Sequence, residues 1–176
     1  MKFSILFFFF FINSCSYSLG YKPAVLLGKY KEVHIKLFKN KTQHTGLESI
    51  FTDKLISRIN LGNKKLIQNF APIKLEANIV SATVSPISRG NVQSVVLVTE
   101  YRVAVKLKVN LKQRWSEKLL WSKTFYRETS YIPPQVSISK LSSVGSFHND
   151  SALRMAFLDI ASDVSGDIYI ALIDRF

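Results

Sequence analysis

Glu100-Tyr101-Arg102-Val103-Ala104-Val105-Lys106-Leu107-Lys108-Val109-Asn110-Leu111-Lys112 is the stretch that decides the fold. Val103, Val105, Leu107, Val109 and Leu111 recur at every second residue. Side chains alternate across a strand, so these five share one face. Arg102, Ala104, Lys106, Lys108, Asn110 and Lys112 take the other. The strand signal covers Val92 to Leu111 and is the strongest in the chain. Its pattern predicts a sheet with an apolar inner face and a basic outer one.

Working outward, Gln113 to Glu117 can close a hairpin into a further strand from Leu119 to Tyr126. Two alternating runs joined by so short a link predict an antiparallel pair. Upstream, Leu75 to Val84 is β-rich, and Ser85 to Gly90, with Pro86 and Gly90, reads as a loop. Val33 to Leu37 alternates as a half-buried strand, and Lys39 to His44 reads as a polar connector. Thr45 precedes Glu48 by three residues, the spacing of a capping box that satisfies free N–H groups at a helix start. Leu47, Ile50, Phe51, Leu55 and Ile59 then form an amphipathic stripe, which Gly62 can end.

Tyr131 to Phe147 reads as a long irregular connection. Asn149 or Asp150 can cap a last helix, whose apolar stripe is Leu153, Ala156, Phe157, Ile160, Val164, Ile168 and Ala171. The expected fold class is α+β. It is a two-layer sandwich with an about four-stranded, mostly antiparallel or mixed sheet and two helices packed on one face.

The N-terminus has a different character. Met1-Lys2 precedes a charge-free, Phe-rich run from Phe3 to Ile12, and then Asn13, Ser14 and Cys15. A basic start, a short apolar run and a small residue are the layout of a secretory signal peptide. The apolar run is about half of the roughly 20 residues that a membrane span needs. Ile12-Asn13-Ser14-Cys15 resembles the lipobox of bacterial lipoproteins, in which the cysteine is acylated and becomes the first mature residue, although Asn13 is atypical there. A secreted chain with one free thiol is the alternative. The expected division is a cleaved signal over 1–14, a lipidated Cys15 and tether over 15–30, and one domain over 31–176.

Cleavage before Cys15 leaves 162 residues, enough for one core that buries about 70% of its unfolded surface. With a single cysteine, no internal disulfide can help it. The full chain carries 24 Lys and Arg against 12 Asp and Glu, and loss of Lys2 leaves a mature net charge of +11. Such an excess speaks about partners: nucleic acid, an anionic membrane surface or an anionic ligand such as a phosphorylated glycolipid. Export makes nucleic acid the weakest of these.

Catalytic or metal chemistry finds little support. His34, His44 and His148 have no ligand spacing, and there is no second cysteine. No nucleophile elbow, P-loop or dinucleotide fingerprint occurs. Asp159, Asp163 and Asp167 recur every four residues, which fits a solvated helix flank pairing with Lys or Arg better than a cation site. Neither an enzyme nor a cofactor is expected. The basic strand face, Arg102, Lys106, Lys108 and Lys112, with Arg89, Arg114, Lys118 and Lys140 in flanking loops, could neutralise phosphates, or could be an ordinary solvated face.

Assembled, these pieces resemble the LptE family of lipopolysaccharide-assembly lipoproteins over most of the chain. The resemblance lies in Tyr17-Ser18-Leu19 after the cysteine, Phe38 to Thr42 followed by Gly46-Leu47-Glu48, Glu100-Tyr101-Arg102-Val103, Leu120-Trp121 and the closing amphipathic helix. Ser16 stands where the family has glycine. The resemblance implies an α/β sandwich lodged as a plug in an LptD-type outer-membrane β-barrel, where it binds lipopolysaccharide. It implies a lipid anchor at Cys15 and an outer-membrane location on the periplasmic, barrel-lumen side. It points to Arg89 and Lys140 as ligand contacts, with Arg102, Lys106 and Lys108 as candidates from the strand face. An accessory lipoprotein that binds no lipopolysaccharide is the rival expectation.

Overall fold

The computed structural model describes residues 30–62, 66–92, 95–133 and 144–173. In chain order it has β1 (Val33–Ile35), β2 (Lys39–Asn40), α1 (Leu47–Gly62), β3 (Ile73–Val92), β4 (Val95–Gln113), β5 (Leu119–Tyr131) and α2 (Val144–Ile173). These form the expected α+β arrangement. The alternating stretch is β4, antiparallel to β3 on one edge and to β5 on the other. β1 and β2 lie one after the other along the far edge of β3, both parallel to it, which makes five strands.

Period two does what the sequence requires. Val103, Val105, Leu107, Val109 and Leu111 are all fully buried. Leu107 stands opposite Ile79 of β3 and Phe125 of β5, so each inward row runs across the sheet. Above these rows lie the helix stripes: Leu47, Phe51, Leu55 and Ile59 of α1, and Ala156, Phe157, Ile160, Val164 and Ile168 of α2. They join the sheet residues in one core. Full burial of a Val, Leu or Ile side chain contributes about 1.5–3 kcal/mol, which is how a chain without disulfides holds together.

The start of α1 follows the expected signal with one change. The Gly46 carbonyl accepts the first helical bond, from the Ile50 N–H at 3.2 Å, so Gly46 rather than Thr45 takes the cap. Its φ of +84° suits glycine. Glu48 keeps its half of the box. Backbone N–H groups at Glu48 and Gly46 and the Asn40 side chain hold its carboxyl below the ordinary range. Thr52 ties α1 to the strand layer: its hydroxyl accepts the Phe38 N–H at 3.0 Å and donates to the Glu48 carbonyl at 2.6 Å.

Three expected boundaries move. Ser85 to Gly90 is not a loop but part of β3, with register shifts around Ser88. β1 and β2 reach only to Ile79, so beyond it β3 has a partner on one side alone. Proline is tolerated on such an edge and at bulges. The turn instead falls after Val92, which pairs with Val95, so Val92 ends β3 and does not begin β4. Finally, α2 begins at Val144, which places Asn149 and Asp150 inside it rather than at its cap.

Candidate functional site

The outer face of the sheet collects cations from β2, β3 and β4, and from Lys36 just after β1. In β4, Arg102, Lys106 and Lys108 are exposed. Lys106 stands opposite Ser81 and Tyr126, and Lys108 opposite Asn78 and Thr124. Lys39 of β2 pairs with the same Asn78, so Lys39, Asn78 and Lys108 form a row across the face.

The charges divide into two groups. At one end, Lys74 and Lys112 are directly opposite in register, which is unfavourable for like charges unless they are compensated. Glu76 and Glu117 compensate them. The Glu76 carboxylate receives Lys112 at 2.9 Å, Lys36 at 3.1 Å and Lys74 at 3.2 Å. Burial opposes its ionisation, but hydrogen bonds from Lys112, Lys36 and Lys74 outweigh that and hold it at about 2. Lys74 is nearly buried and also bonds Glu117. That bond raises the Lys74 ammonium above its ordinary range, against the effect of burial. His34, beside this group, is pushed down by burial and then by Arg114, Lys36 and Lys74.

Further along the strands the pattern reverses. Arg102 has only a long ion pair with Glu128, at 3.9 Å. Lys39, Lys106 and Lys108 have no acidic partner among the described residues. Asn78, Ser81 and Thr124 surround these lysines with hydrogen-bonding groups. Three uncompensated ammonium groups among neutral donors and acceptors can receive phosphate or carboxylate groups.

Residues 30–174 match the profile of the lipopolysaccharide-assembly family, LptE. The chain belongs to that family. A Xanthomonas campestris protein of solved structure shares the fold at a TM-score of 0.50 and 9% identity, covering 77% of this chain and 82% of its own. A minor lipoprotein from Acinetobacter baumannii aligns at a TM-score of 0.45 and 12% identity, over 79% and 90%. No curated protein matches this chain in sequence. As an LptE member, the chain is a lipopolysaccharide-assembly lipoprotein of the cell envelope.

The candidate residues of this LptE chain fall in three places. Arg102, Lys106 and Lys108 share the outer face. Arg89 lies on β3 opposite Val98, near the hairpin end, several residue pairs beyond Arg102. Cys15 and Lys140 lie outside the described residues. Lys112 and Arg114 are occupied structurally: the Arg114 guanidinium donates to the Asn69 carbonyl and lies 5.6 Å from the Phe70 ring centre. Asp167 pairs with Arg127 of β5 at 2.6 Å, while Asp159 and Asp163 are exposed. Among the described residues no three His, Cys, Asp or Glu side chains converge on a point. His44 packs against Phe157 with ring centres 5.2 Å apart.

Lys39 escaped sequence reasoning because it reads as connector, although it follows buried Phe38 and so must point outward. Lys36 could have been found, since it continues the His34 alternation of β1.

Proposed function

We propose that this LptE-family protein is anchored in the outer membrane through acylated Cys15, that it plugs an LptD-type β-barrel, and that it receives lipopolysaccharide on the outer face of its sheet. The observation that carries ligand binding is the set of lysines without acidic partners, Lys39, Lys106 and Lys108, on one exposed face of a family member. Lipid A phosphates are multivalent anions, and several ammonium groups on one rigid sheet can engage them together. Arg89, farther along the β3–β4 hairpin, and Lys140 are further ligand contacts in this reading. No bond is made or broken. The face holds the ligand's phosphates while its acyl chains are passed on, and the exposed Ile132 packs on the barrel wall.

The ion pairs that occupy Lys36, Lys74, Lys112 and Arg102 favour a rival, in which the face serves stability and the protein is an accessory without ligand. A double charge reversal, Lys106→Glu with Lys108→Glu, decides between them. Both residues are exposed, so folding is expected to persist. Lipopolysaccharide capture is expected to fall at least about tenfold, as loss of two charged contacts implies. Unchanged capture would favour the accessory role. In vivo crosslinking of the tagged chain tests the plug directly: a single large outer-membrane barrel in near-equal amount is expected. Recovery of inner-membrane transporter subunits alone would sink it.

A further inference from the structure

The most exposed apolar side chains gather at one end of the molecule. Among the described residues the three most exposed large apolar side chains are Phe70 (84%), Leu61 (81%) and Trp115 (77%). Phe70 and Trp115 belong to links at one end of the sandwich, and Leu61 to the helix end beside them. Leu61 is next to last in α1, and the chain returns from there to Leu66, whose carbonyl accepts the Val33 N–H where β1 begins. Phe70 precedes β3. Trp115 tips the β4–β5 turn, two residues after Gln113, the partner of Ile73. The Arg114 N–H donates to the Pro72 carbonyl at 2.9 Å, which fastens the turn to the Phe70 loop.

Two more features mark this end. First, Tyr30 lies here: the Gln113 side chain donates to the Tyr30 hydroxyl at 2.8 Å, and Tyr30, Pro72 and Trp115 line one shallow cavity of about 310 Å³. Tyr30 follows Cys15 by 15 residues. Second, the rim is cationic. Arg114 lies over Phe70 and Lys118 is exposed, while Glu117, the acid of the turn, is drawn onto the sheet face by Lys74. Exposed Trp and Phe with Arg and Lys beside them, and no free carboxylate in the turn, match the interface of an anionic bilayer.

We propose that this end docks on the lipid surface that holds the chain's own acyl anchor, with Trp115 and Phe70 entering the headgroup region and Arg114 and Lys118 meeting lipid phosphates. The proposal rests on the Cys15 anchor reading. A bound end would supply a second membrane signal besides acylation and would fix the domain's orientation, with the β3–β4 hairpin pointing away from that surface. A partner protein would also accept such residues. The position of Tyr30, 15 residues after Cys15, and the Arg114 and Lys118 cations beside Phe70 and Trp115 favour lipid.

The test uses the mature acylated protein reconstituted in vesicles of phosphatidylethanolamine and phosphatidylglycerol. Trp115 is exposed and Trp121 is buried, so a lipid-dependent change in emission reports on Trp115. A blue shift and quenching by lipids brominated high on the acyl chain are expected. Both signals should vanish in Trp115→Phe, and quenching should drop at least twofold in Phe70→Ser, where Trp115 remains. A protein that floats with the vesicles but shows water-like, unquenched Trp115 overturns the docking and leaves the anchor standing. Failure to float at all removes the anchor and the docking together. Trp115 that is shielded only when the barrel partner is added assigns this end to protein and also overturns the proposal.

Discussion

Glu76 shows how much of this face is decided by one side chain. Three ammonium groups converge on it, and Lys74 has little access to water to screen its charge. Its folded-state value of about 2 lies below the ordinary 4.5, so its contribution to stability is full above pH 4.5 and is lost as pH falls towards 2. Glu76→Gln is expected to cost about 1–2 kcal/mol at neutral pH, less than the displacement alone implies, because the carboxylate keeps some contact with water. Urea denaturation of both proteins at stepped pH checks this. The gap should narrow between pH 5 and pH 3, and a gap independent of pH would show that the hub is not electrostatic. Period two already placed Arg102, Lys106 and Lys108 outward, since that follows from local alternation. It could not reveal that Lys112 is neutralised and Lys108 is not. That depends on Glu76 lying two pairs away in β3, on the same face, and on Lys39 arriving by a parallel register, and neither is written in the local pattern.

Among the elements, the helix pair depends on a small residue where α1 ends. Gly62 reads as a stop signal, yet its larger role is spatial. A Cβ at this position would lie 1.9 Å from the Tyr169 hydroxyl of α2 and 2.7 Å from its ring. The Tyr169 ring in turn lies 5.5 Å from the Arg58 guanidinium of α1. Gly62→Ala is therefore expected to displace the partly exposed tyrosine and destabilise the fold by about 1 kcal/mol, the low end for overpacking. Tyr169→Ala in the same chain should recover part of that loss, and a double-mutant cycle in urea measures the coupling. Simple additivity would mean that the contact is not what glycine serves. The helices themselves were legible from their stripes, and the β4–β5 hairpin from its alternation. The β3 boundary was not, because Pro86 and Gly90 are loop signals locally. They become acceptable only on a strand edge that no neighbour occupies, which is a property of the sheet's order. The early start of α2 at Val144 was hidden by the serines that precede the apolar stripe.

For the whole molecule, the strands differ in how far their neighbours accompany them. β1 and β2 leave β3 at Ile79, and β5 leaves β4 at Tyr101, where Tyr131 stacks on it with ring centres 5.5 Å apart. From there the β3–β4 hairpin continues as a two-stranded ribbon that carries Arg89, while the opposite end holds Tyr30, Phe70 and Trp115. Two strands alone are marginal in water, whereas the rows from Val103 to Leu111 lie under two helices. Native-state hydrogen exchange should follow this gradient. Amides of Val103–Leu111 are expected to open only with global unfolding, and those of the ribbon at least about tenfold faster. If lipopolysaccharide is received along the outer face towards Arg89, its addition should slow exchange in the ribbon and leave the Trp115 end unchanged. Vesicles without lipopolysaccharide should do the reverse. Slowing at both ends by either addition would mean that ligand and membrane do not address separate ends of the sandwich, and the division of labour inferred from the placement of its charges and apolar side chains would fail.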